Sequence, residues 1–276
     1  MYLARLTNRN IISTAEYDFT SDIFCIDPNC SAKVIFVEKS MDRAAHFKTT
    51  GKGESIHSEE CGFFKELDFK EKLSLVSAYQ EENIAQNVRE HSIRLNLNKL
   101  DPDYVPREAP NGSSNLKEAT EIDKDTIKEP SSTPQSISSL KTIKKLFNSV
   151  EPDLLASIIL NVKGQKVPLS QIIREPHQAH ELLWSDKDLP IQYFIFGHVT
   201  KIINRDKVKF INLNTEGIER PFTLVIFDKY LKYFELNDAD LLHKDILACG
   251  FLKKNNYGDK EGTELIIKSS KFVEVF

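Results

Sequence analysis

Two kinds of hydrophobic periodicity alternate along the chain. Across 65–90, apolar residues run at helical spacing from Phe69 through Ile84 to Val88, and Gln80 interrupts the face. The next stretch, HSIRLNLNKL, alternates aliphatic with polar residues, which is the period of a half-buried strand. The first hundred residues therefore predict a small α+β unit.

Strand patterns dominate residues 190–276. Five segments are predicted as strands, with Gly197 in the middle of the first, and KYLKYFELNDADLLHK predicts a short helical connection between the third and the fourth. In chain order the five segments are IQYFIFGHVTKI, DKVKFINL, RPFTLVIFD, DILACGFLKK and TELIIKSSKFVEVF. Before them, residues from 140 onward predict short helices and a hairpin turned at Lys163-Gly164.

This strand order, with a helix after the third strand, resembles the OB-fold, a small Greek-key barrel that binds single strands or oligosaccharides. The resemblance implies a ligand face on strands two and three with the loops between strands 1–2 and 4–5. The predicted fold class is α+β, with a C-terminal OB-like β-barrel preceded by helices.

Basic and aromatic residues fall where such a barrel has its ligand-binding loops. Strand alternation predicts that Phe196 points outward, and that Lys207 and Lys209 share an outer face with Thr223 and Phe227. Core phenylalanines and solvated loop lysines are the alternative interpretation. The predicted nucleic-acid-binding residues are Lys201, Arg205, Lys207, Lys209, Phe196, Phe227, Lys253, Lys254 and Tyr257.

The segment 101–139 differs in composition from both flanks. It is rich in Pro, Ser, Thr, Glu and Lys, and its few aliphatic residues show no clear period. Such a segment buries too little apolar surface to offset chain entropy, so we predict a disordered linker. The predicted domains are 1–100, the linker 101–139, and 140–276, with the barrel at about 190–276.

Three of the four cysteines lie between positions 25 and 61. Cys25 and Cys30 flank a Pro-Asn turn, and His57 and Cys61 form a second short pair; zinc sites are commonly built from two such pairs. We predict a structural Zn²⁺ held by these four residues, with His46 as the alternative to His57. A site closed by four protein ligands leaves no position for substrate.

The region from about 20 to 65 resembles the N-terminal zinc-finger-like module of competence CoiA-like proteins. Those modules carry a cysteine pair, a strand, a His-Phe step and a later His or Cys. Cys25, Cys30 and Cys61 match the thiols, and His46-Phe47 matches the step, although the family usually has two residues between the first cysteines and this chain has four. The resemblance implies a zinc-ribbon-like module; no match to the family's nuclease-type domain is found.

Composition and missing motifs narrow the remaining choices. The 276 residues carry a net charge of −4, which disfavours nucleic-acid binding through bulk charge and leaves local basic patches as the possible source of binding.

No apolar run approaches the ~20 residues of a membrane span and no signal peptide begins the chain, so we expect a cytoplasmic protein without membrane association. Cys249 is predicted to be a small buried apolar residue. No Walker loop, dinucleotide fingerprint, HExxH or GxSxG is present, so the sequence favours a non-enzymatic role.

Together these features predict a nucleic-acid-binding protein with a structural zinc site, with single strands as the favoured ligand. The CoiA-like resemblance implies a context of DNA processing or defence. One alternative is a protein-interaction adaptor in a larger complex, with a protein as partner. A second is a metal-dependent nuclease with an unrecognised site. The oligomeric state is left open.

Overall fold

The computed structural model describes residues 1–40, 44–86, 91–105, 135–162, 164–215, 222–257 and 260–276. The chain is a mixed α+β protein in which strands outnumber helices in the described ranges. Within the same ranges, none of the helices has the length and apolar character needed to cross a membrane.

The N-terminal part consists of short strands around the cysteines, followed by one long helix. β1 pairs with β2 and β3, and β4 pairs with β5, all in antiparallel fashion. The elements are β1 (Leu3–Leu6), β2 (Ile11–Ser13), β3 (Ile23–Phe24), β4 (Ile35–Val37), β5 (His46–Lys48), α1 (Phe69–Ala85) and β6 (His91–Leu95).

Helix α1 begins with reciprocal side-chain caps. Asp68 Oδ1 accepts from the backbone N–H of Glu71 at 2.7 Å, while Glu71 Oε2 accepts from the N–H of Asp68 at 3.2 Å. The predicted helix is confirmed, but its buried face differs from the prediction. Gln80 is buried and accepts a hydrogen bond from the N–H of Ser170 at 3.2 Å, whereas Ile84 is 51% exposed. The amide oxygen of Gln80 has a hydrogen-bond partner there, which lowers the free-energy cost of burying this side chain on the core face.

A four-stranded sheet joins the two ends of the predicted linker. β6 pairs in parallel with β7 and β8, and β8 pairs with β9 across a turn in which Gly164 has φ +87°. The elements here are β7 (Ser136–Ile137), α2 (Leu140–Ser149), α3 (Pro152–Ala156), β8 (Ile158–Val162), β9 (Gln165–Pro168), α4 (Leu169–Ile172), β10 (Ile173–Arg174) and α5 (Pro176–Trp184).

This sheet pairs strands from both sides of the predicted linker. Ile93 of β6 lies opposite Leu160 of β8, and both side chains are buried in one core that runs from Leu3 to Val273. Residues from the two predicted domains therefore share one sheet and one core cluster. The predicted disorder of the linker concerns mostly 106–134, which lies outside the described residues.

The C-terminal sheet contains the largest set of paired strands. Its order is β15-β16-β13-β12-β11-β14-β17, with β10 also pairing with β11. β13 and β16 are parallel, while β11 is antiparallel to β12 and to β14. The elements are β11 (Tyr193–Arg205), β12 (Val208–Leu213), β13 (Phe222–Phe227), α6 (Asp228–Leu231), α7 (Asp238–Leu241), β14 (Asp245–Gly250), β15 (Leu252–Tyr257), β16 (Lys260–Ile266) and β17 (Val273–Val275).

The predicted fourth and fifth strands are divided differently in the structure. The segment DILACGFLKK breaks at Phe251, so Lys253 and Lys254 belong to β15 and not to a loop. β14 and β16 approach each other closely at the break. A Cβ on Gly250 would lie only 3.0 Å from the carbonyl oxygen of Ile266, so the glycine makes this approach possible. The predicted helical connection between the third and fourth strands is present as two short helices, α6 and α7.

Candidate functional site

The first cysteine pair lies in a tight loop after β3. The N–H of Cys25 donates to the carbonyl of Ala32 at 2.8 Å, and the N–H of Cys30 donates to the carbonyl of Asp27 at 3.0 Å. Nη2 of Arg5 donates to the carbonyl oxygens of Cys25 and Cys30, each at 3.1 Å, and to that of Asp27 at 2.5 Å. Three backbone acceptors are thus held by one guanidinium, which fixes the loop from β1.

The second pair is formed by one short turn. The N–H of Cys61 donates to the carbonyl of Ser58 at 3.0 Å, and the N–H of Phe63 points at Sγ of Cys61 at 3.4 Å. The ring of His57 stacks on Phe63 with centroids 5.9 Å apart. This turn brings the imidazole and the thiol to the same side as the first pair.

The four side chains converge on one point. Their ligand atoms all lie within 4.8 Å of one another, with 3.6 Å between Sγ of Cys25 and Sγ of Cys61. Nδ1 of His57 is 3.5 Å from Sγ of Cys30 and 3.4 Å from Sγ of Cys61. Zn–S and Zn–N bonds of ordinary length give tetrahedral edges of about 3.6–3.8 Å. These four residues can therefore hold a metal ion.

The structure distinguishes between the two candidate histidines. Nδ1 of His46 lies 2.9 Å from the carbonyl oxygen of Ala44, and His46 lies outside the four-residue group. Within the described residues, His57 is thus the histidine that completes the group.

Cys61 and His57 are the members of the group whose protonation states suit a metal. The hydrogen bond with Cys61, and then burial, raise the pKa of Cys25 above the ordinary value of a thiol. The same hydrogen bond lowers the pKa of Cys61 to about 7, and burial lowers the pKa of His57. Thiolate and neutral imidazole are the forms that bind metal, and a bound cation favours both.

A second layer of contacts joins this group to α1. Oδ2 of Asp27 accepts from the backbone N–H of Gly62 and from the hydroxyl of Tyr79, each at 3.1 Å. Burial raises the pKa of Tyr79, so its hydroxyl stays protonated and donates. A side chain at Gly62 would collide with Leu75 of α1, which shows how closely the turn lies on the helix.

A second candidate site is the face of the C-terminal sheet that points away from the core. Residues directly opposite each other on paired strands share a face. The register therefore places a set of side chains on one surface, which we call the solvent face, in three cross-strand rows. The rows are Lys201–Asn212–Thr223–Glu264–Lys253, Ile203–Phe210–Val225–Ile266 and Arg205–Val208–Phe227.

A shallow cavity of about 230 Å³ lies in the middle of this face. Cζ of Arg205 is 5.7 Å from the ring centroid of Phe210 beside it. Arg205, Lys201 and Lys253 are exposed, and Phe227 is 39% exposed. The residues that line the cavity are Ile203, Phe210, Asn212, Thr223, Asn255, Gly262, Thr263 and Glu264.

Four predicted nucleic-acid residues, Lys201, Arg205, Phe227 and Lys253, thus share the solvent face. Lys207 lies in the turn between β11 and β12. Tyr257 is the last residue of β15 and pairs with Lys260. These positions are thus spread over the sheet from β11 to the edge strand β15.

Lys209 lies on the opposite face, which corrects the predicted alternation, and Lys254, predicted in a loop, lies on that opposite face of β15. Lys209 pairs with Ile226, its side chain is 11% exposed, and its ammonium binds the carboxylate of Asp238. Lys254 binds Asp186 at 2.5 Å. The parity is shifted because the turn is short and β12 begins at Val208, so Val208 and not Lys209 shares a face with Phe227.

Phe196 is in the core, and the prediction that it points outward is wrong. Its ring lies 4.6 Å from the ring of Phe69 and 5.3 Å from that of Phe276, and the residue is 7% exposed. β11 is covered on this side because the rings of Phe69, the first residue of α1, and of Phe276 pack against Phe196. Strand alternation within 190–276 could not predict the contact with Phe69, because Phe69 lies outside that segment.

Phe210, Asn212, Asn255 and Glu264 are solvent-face residues that the sequence interpretation did not identify. Alternation in KVKFINL places Phe210 and Asn212 on one side of β12, which is a usable signal. Glu264 and Asn255 join them through the pairing of β13 with β16 and of β16 with β15.

A larger cleft of about 720 Å³ lies where α1, α5 and β11 meet. Nδ1 of His198 is 2.8 Å from the Asp245 carboxylate across the β11–β14 pair. His177 also borders the cleft, whereas His180 turns away to contact Oγ1 of Thr263 at 2.8 Å. In the described part of the chain, the Cys25 group is the one cluster with metal-binding geometry, so this cleft adds no metal site.

Comparison with known proteins yields little. No protein family and no curated protein matches the chain. A solved structure, "OBody NL8 bound to hen egg-white lysozyme", aligns with 31% of this chain and 93% of its own length, at 13% sequence identity and a TM-score of 0.24. A likeness at that TM-score supports no argument about fold or function.

Proposed function

We propose that the protein binds single-stranded nucleic acid on the solvent face of its C-terminal sheet. The observation that carries the proposal is the set of cross-strand rows, which places exposed cations around Phe210 and Phe227. Single-strand binders combine a basic surface for the phosphates with aromatic rings on which bases stack, at about 1–3 kcal/mol per base. Arg205 and Phe210 supply both components side by side.

The strand pairing supports an OB-like arrangement for residues 190–276. β11, β12 and β13 form a meander, β14 returns to β11, and β16 lies parallel to β13. Two helices, α6 and α7, connect β13 to β14. In OB-folds the ligand lies across strands two and three, and those correspond to β12 and β13, the centre of the solvent face.

We further assign zinc as the metal of the Cys25, Cys30, His57 and Cys61 group, in a zinc-ribbon-like module. A Cys₃His set is a usual ligand set for structural zinc, and two short turns supply it here. Bound zinc would cross-link loops that have little core of their own. The group would have no open position for substrate, so its role is to hold the N-terminal part in place. The resemblance to CoiA-like modules supports a context of DNA processing or defence.

Local charge makes the proposal compatible with a net charge of −4. Lys201, Arg205, Lys207 and Lys253 all lie on or beside the solvent face, with Glu264 as the acidic residue in its rows. A local basic patch attracts phosphates over about a Debye length, which is near 10 Å at ordinary salt. Asp206, in the β11–β12 turn, and Asp228, next to Phe227, are acidic residues that border the solvent face.

The test is fluorescence anisotropy with the full chain and labelled single-stranded oligonucleotides of about 15 nucleotides, the upper range for one OB-like domain. The double variant R205E/F210A is expected to weaken binding at least about tenfold, because it removes a phosphate contact and a stacking platform. Lys166→Glu, an exposed charge reversal on β9, is the matched control and is expected to bind like the wild type.

Two results would contradict the proposal. Equal binding by the double variant and the wild type would remove the solvent face as the site. Absence of binding to any oligonucleotide at low salt would favour the protein-interaction adaptor instead.

A further inference from the structure

We propose that the solvent face discriminates between bases, and that Glu264 selects cytosine and adenine over thymine and uracil. This inference rests on the proposed function and specifies its ligand. The carboxylate of Glu264 lies among the lysine and arginine residues of the solvent face, where a surface that binds a polyanion would not be expected to carry a negative charge.

Glu264 lies on β16, one strand in from the β15 edge of the sheet, and is flanked on both sides by residues of the face. In its row it lies between Thr223 of β13 and Lys253 of β15, and its side chain lines the cavity of about 230 Å³. Phe210 and Ile203 line the same cavity. A base that stacks on Phe210 would therefore bring its edge to Glu264, while its phosphates lie towards Arg205 and Lys201.

The hydrogen bonds around Glu264 leave it an acceptor for the ligand. Nδ2 of Asn255 donates to Oε1 of Glu264, which orients the carboxylate. In the described part of the chain, Oε2 accepts no hydrogen bond from another side chain. Oγ1 of Thr223 donates to Oδ1 of Asn212 at 3.2 Å, which directs the amide NH₂ of Asn212 to other partners. The cavity thus has a carboxylate acceptor on β16 and an amide donor on β12, one on each side of Thr223.

The Glu264 carboxylate and the Asn212 amide can form hydrogen bonds with cytosine and adenine but not equally with thymine and uracil. Cytosine presents its N4 amino group and adenine its N6 amino group as donors, and carboxylates accept from the amino group of cytosine in known recognition. The neighbouring ring nitrogen of either base can accept from Asn212. Thymine and uracil present the O4 acceptor at the same position, where it would face the Glu264 carboxylate with no proton between them. Phosphate repulsion by Glu264 is common to all four bases, so it cancels in the comparison.

The experiment measures anisotropy with the full chain and homo-oligomers of deoxycytidine, deoxyadenosine and thymidine of equal length, at neutral pH and low salt. We expect the cytosine and adenine oligomers to bind roughly tenfold more tightly than the thymine oligomer, as for one well-paired base contact. Glu264→Gln is expected to narrow that gap, because an amide offers a donor to O4 as well as an acceptor. Glu261→Gln makes the same charge change on the other side of β16 and is expected to leave the gap unchanged.

The outcomes separate this inference from the proposed function. Binding without base preference, a preference for thymine, or an unchanged gap in Glu264→Gln would overturn the role of Glu264 and leave nucleic-acid binding in place. Absence of binding to every oligomer would overturn the proposed function, and this inference with it.

Discussion

The hydroxyl of Tyr79 donates a hydrogen bond to Oδ2 of Asp27, 3.1 Å away, and so joins α1 to the loop between the first two cysteines. The same carboxylate accepts from the N–H of Gly62, next to the last cysteine of the group. One buried side chain thus holds both halves of the metal-binding group and the helix on which they lie. Such partners beyond the ligands commonly tune metal affinity.

Tyr79→Phe is expected to lower the free energy of unfolding by about 1–2 kcal/mol, because a buried carboxylate loses one of its donors. With zinc in excess during purification the metal content should stay at the wild-type level, since all four ligands remain. Thermal unfolding and elemental analysis of the purified chain measure both quantities. Tyr104→Phe removes an exposed hydroxyl and serves as the control. A loss of metal in Tyr79→Phe without a change in stability would contradict this account.

His57→Ala and His46→Ala test the assignment of the fourth ligand. We expect His57→Ala to lose most of the bound zinc and to unfold at lower temperature, because structural zinc contributes folding free energy. His46→Ala should retain the wild-type zinc content, since Nδ1 of His46 faces the Ala44 carbonyl. Mass spectrometry of the native protein counts the ions. The reverse pattern would make His46 the ligand.

Asp238→Asn should change how stability depends on pH. The hydrogen bond from Lys209 lowers the pKa of Asp238 below its ordinary value of 3.8. A carboxyl group with a lowered folded pKa contributes stability above its unfolded pKa, and that stability is lost as pH falls through the folded pKa. We expect the wild type to exceed Asp238→Asn by about 1 kcal/mol near neutrality, a modest amount because Asp238 is exposed to solvent screening.

The difference between the two proteins should therefore shrink as the pH falls below 3.8. Thermal unfolding across a pH series provides the measurement. A difference that is constant down to strong acid would show that Asp238 acts through packing and not through its charge.

Ile93→Ala tests whether the two parts of the chain unfold together. Ile93 is buried on β6, opposite Leu160 of β8, so its truncation should cost about 2–4 kcal/mol. Trp184, the single tryptophan, lies in α5 and donates to Thr263 of the C-terminal sheet at 3.1 Å. If the structure unfolds as one cooperative unit, the unfolding midpoint reported by Trp184 fluorescence should fall in Ile93→Ala. An unshifted transition, as expected for the exposed control Ile35→Ala, would indicate independent domains.

The salt dependence of binding tests the phosphate contacts of the solvent face. Each neutralised phosphate contributes about 0.7 to the slope of log K against log salt for single strands. Lys201→Ala and Arg205→Ala are each expected to reduce the slope by about that amount, because both side chains are exposed on the face. Lys166→Ala should leave it unchanged. Equal slopes in all variants would place the phosphate contacts elsewhere.

The sequence alone determined the local features. The short Cys and His pairs predicted a metal-binding group because each pair is closed by a turn that its own residues encode. Helical spacing predicted α1, and strand alternation predicted β6, β11, β12 and β13. In each case the interactions that form the element lie within a few positions of one another, so they are visible in a short window.

Only the tertiary structure decided what depends on contacts distant in sequence. His57, and not His46, lies in the metal-binding group. Lys209 and Phe196 lie off the predicted binding face, and Glu264 lies on it. The tertiary structure also joins β6 to β8 across the predicted linker. Cross-strand register and the covering of a sheet by a distant helix are set by packing of the whole chain, and a shift of one residue exchanges the two faces of a strand. A local pattern cannot encode that choice.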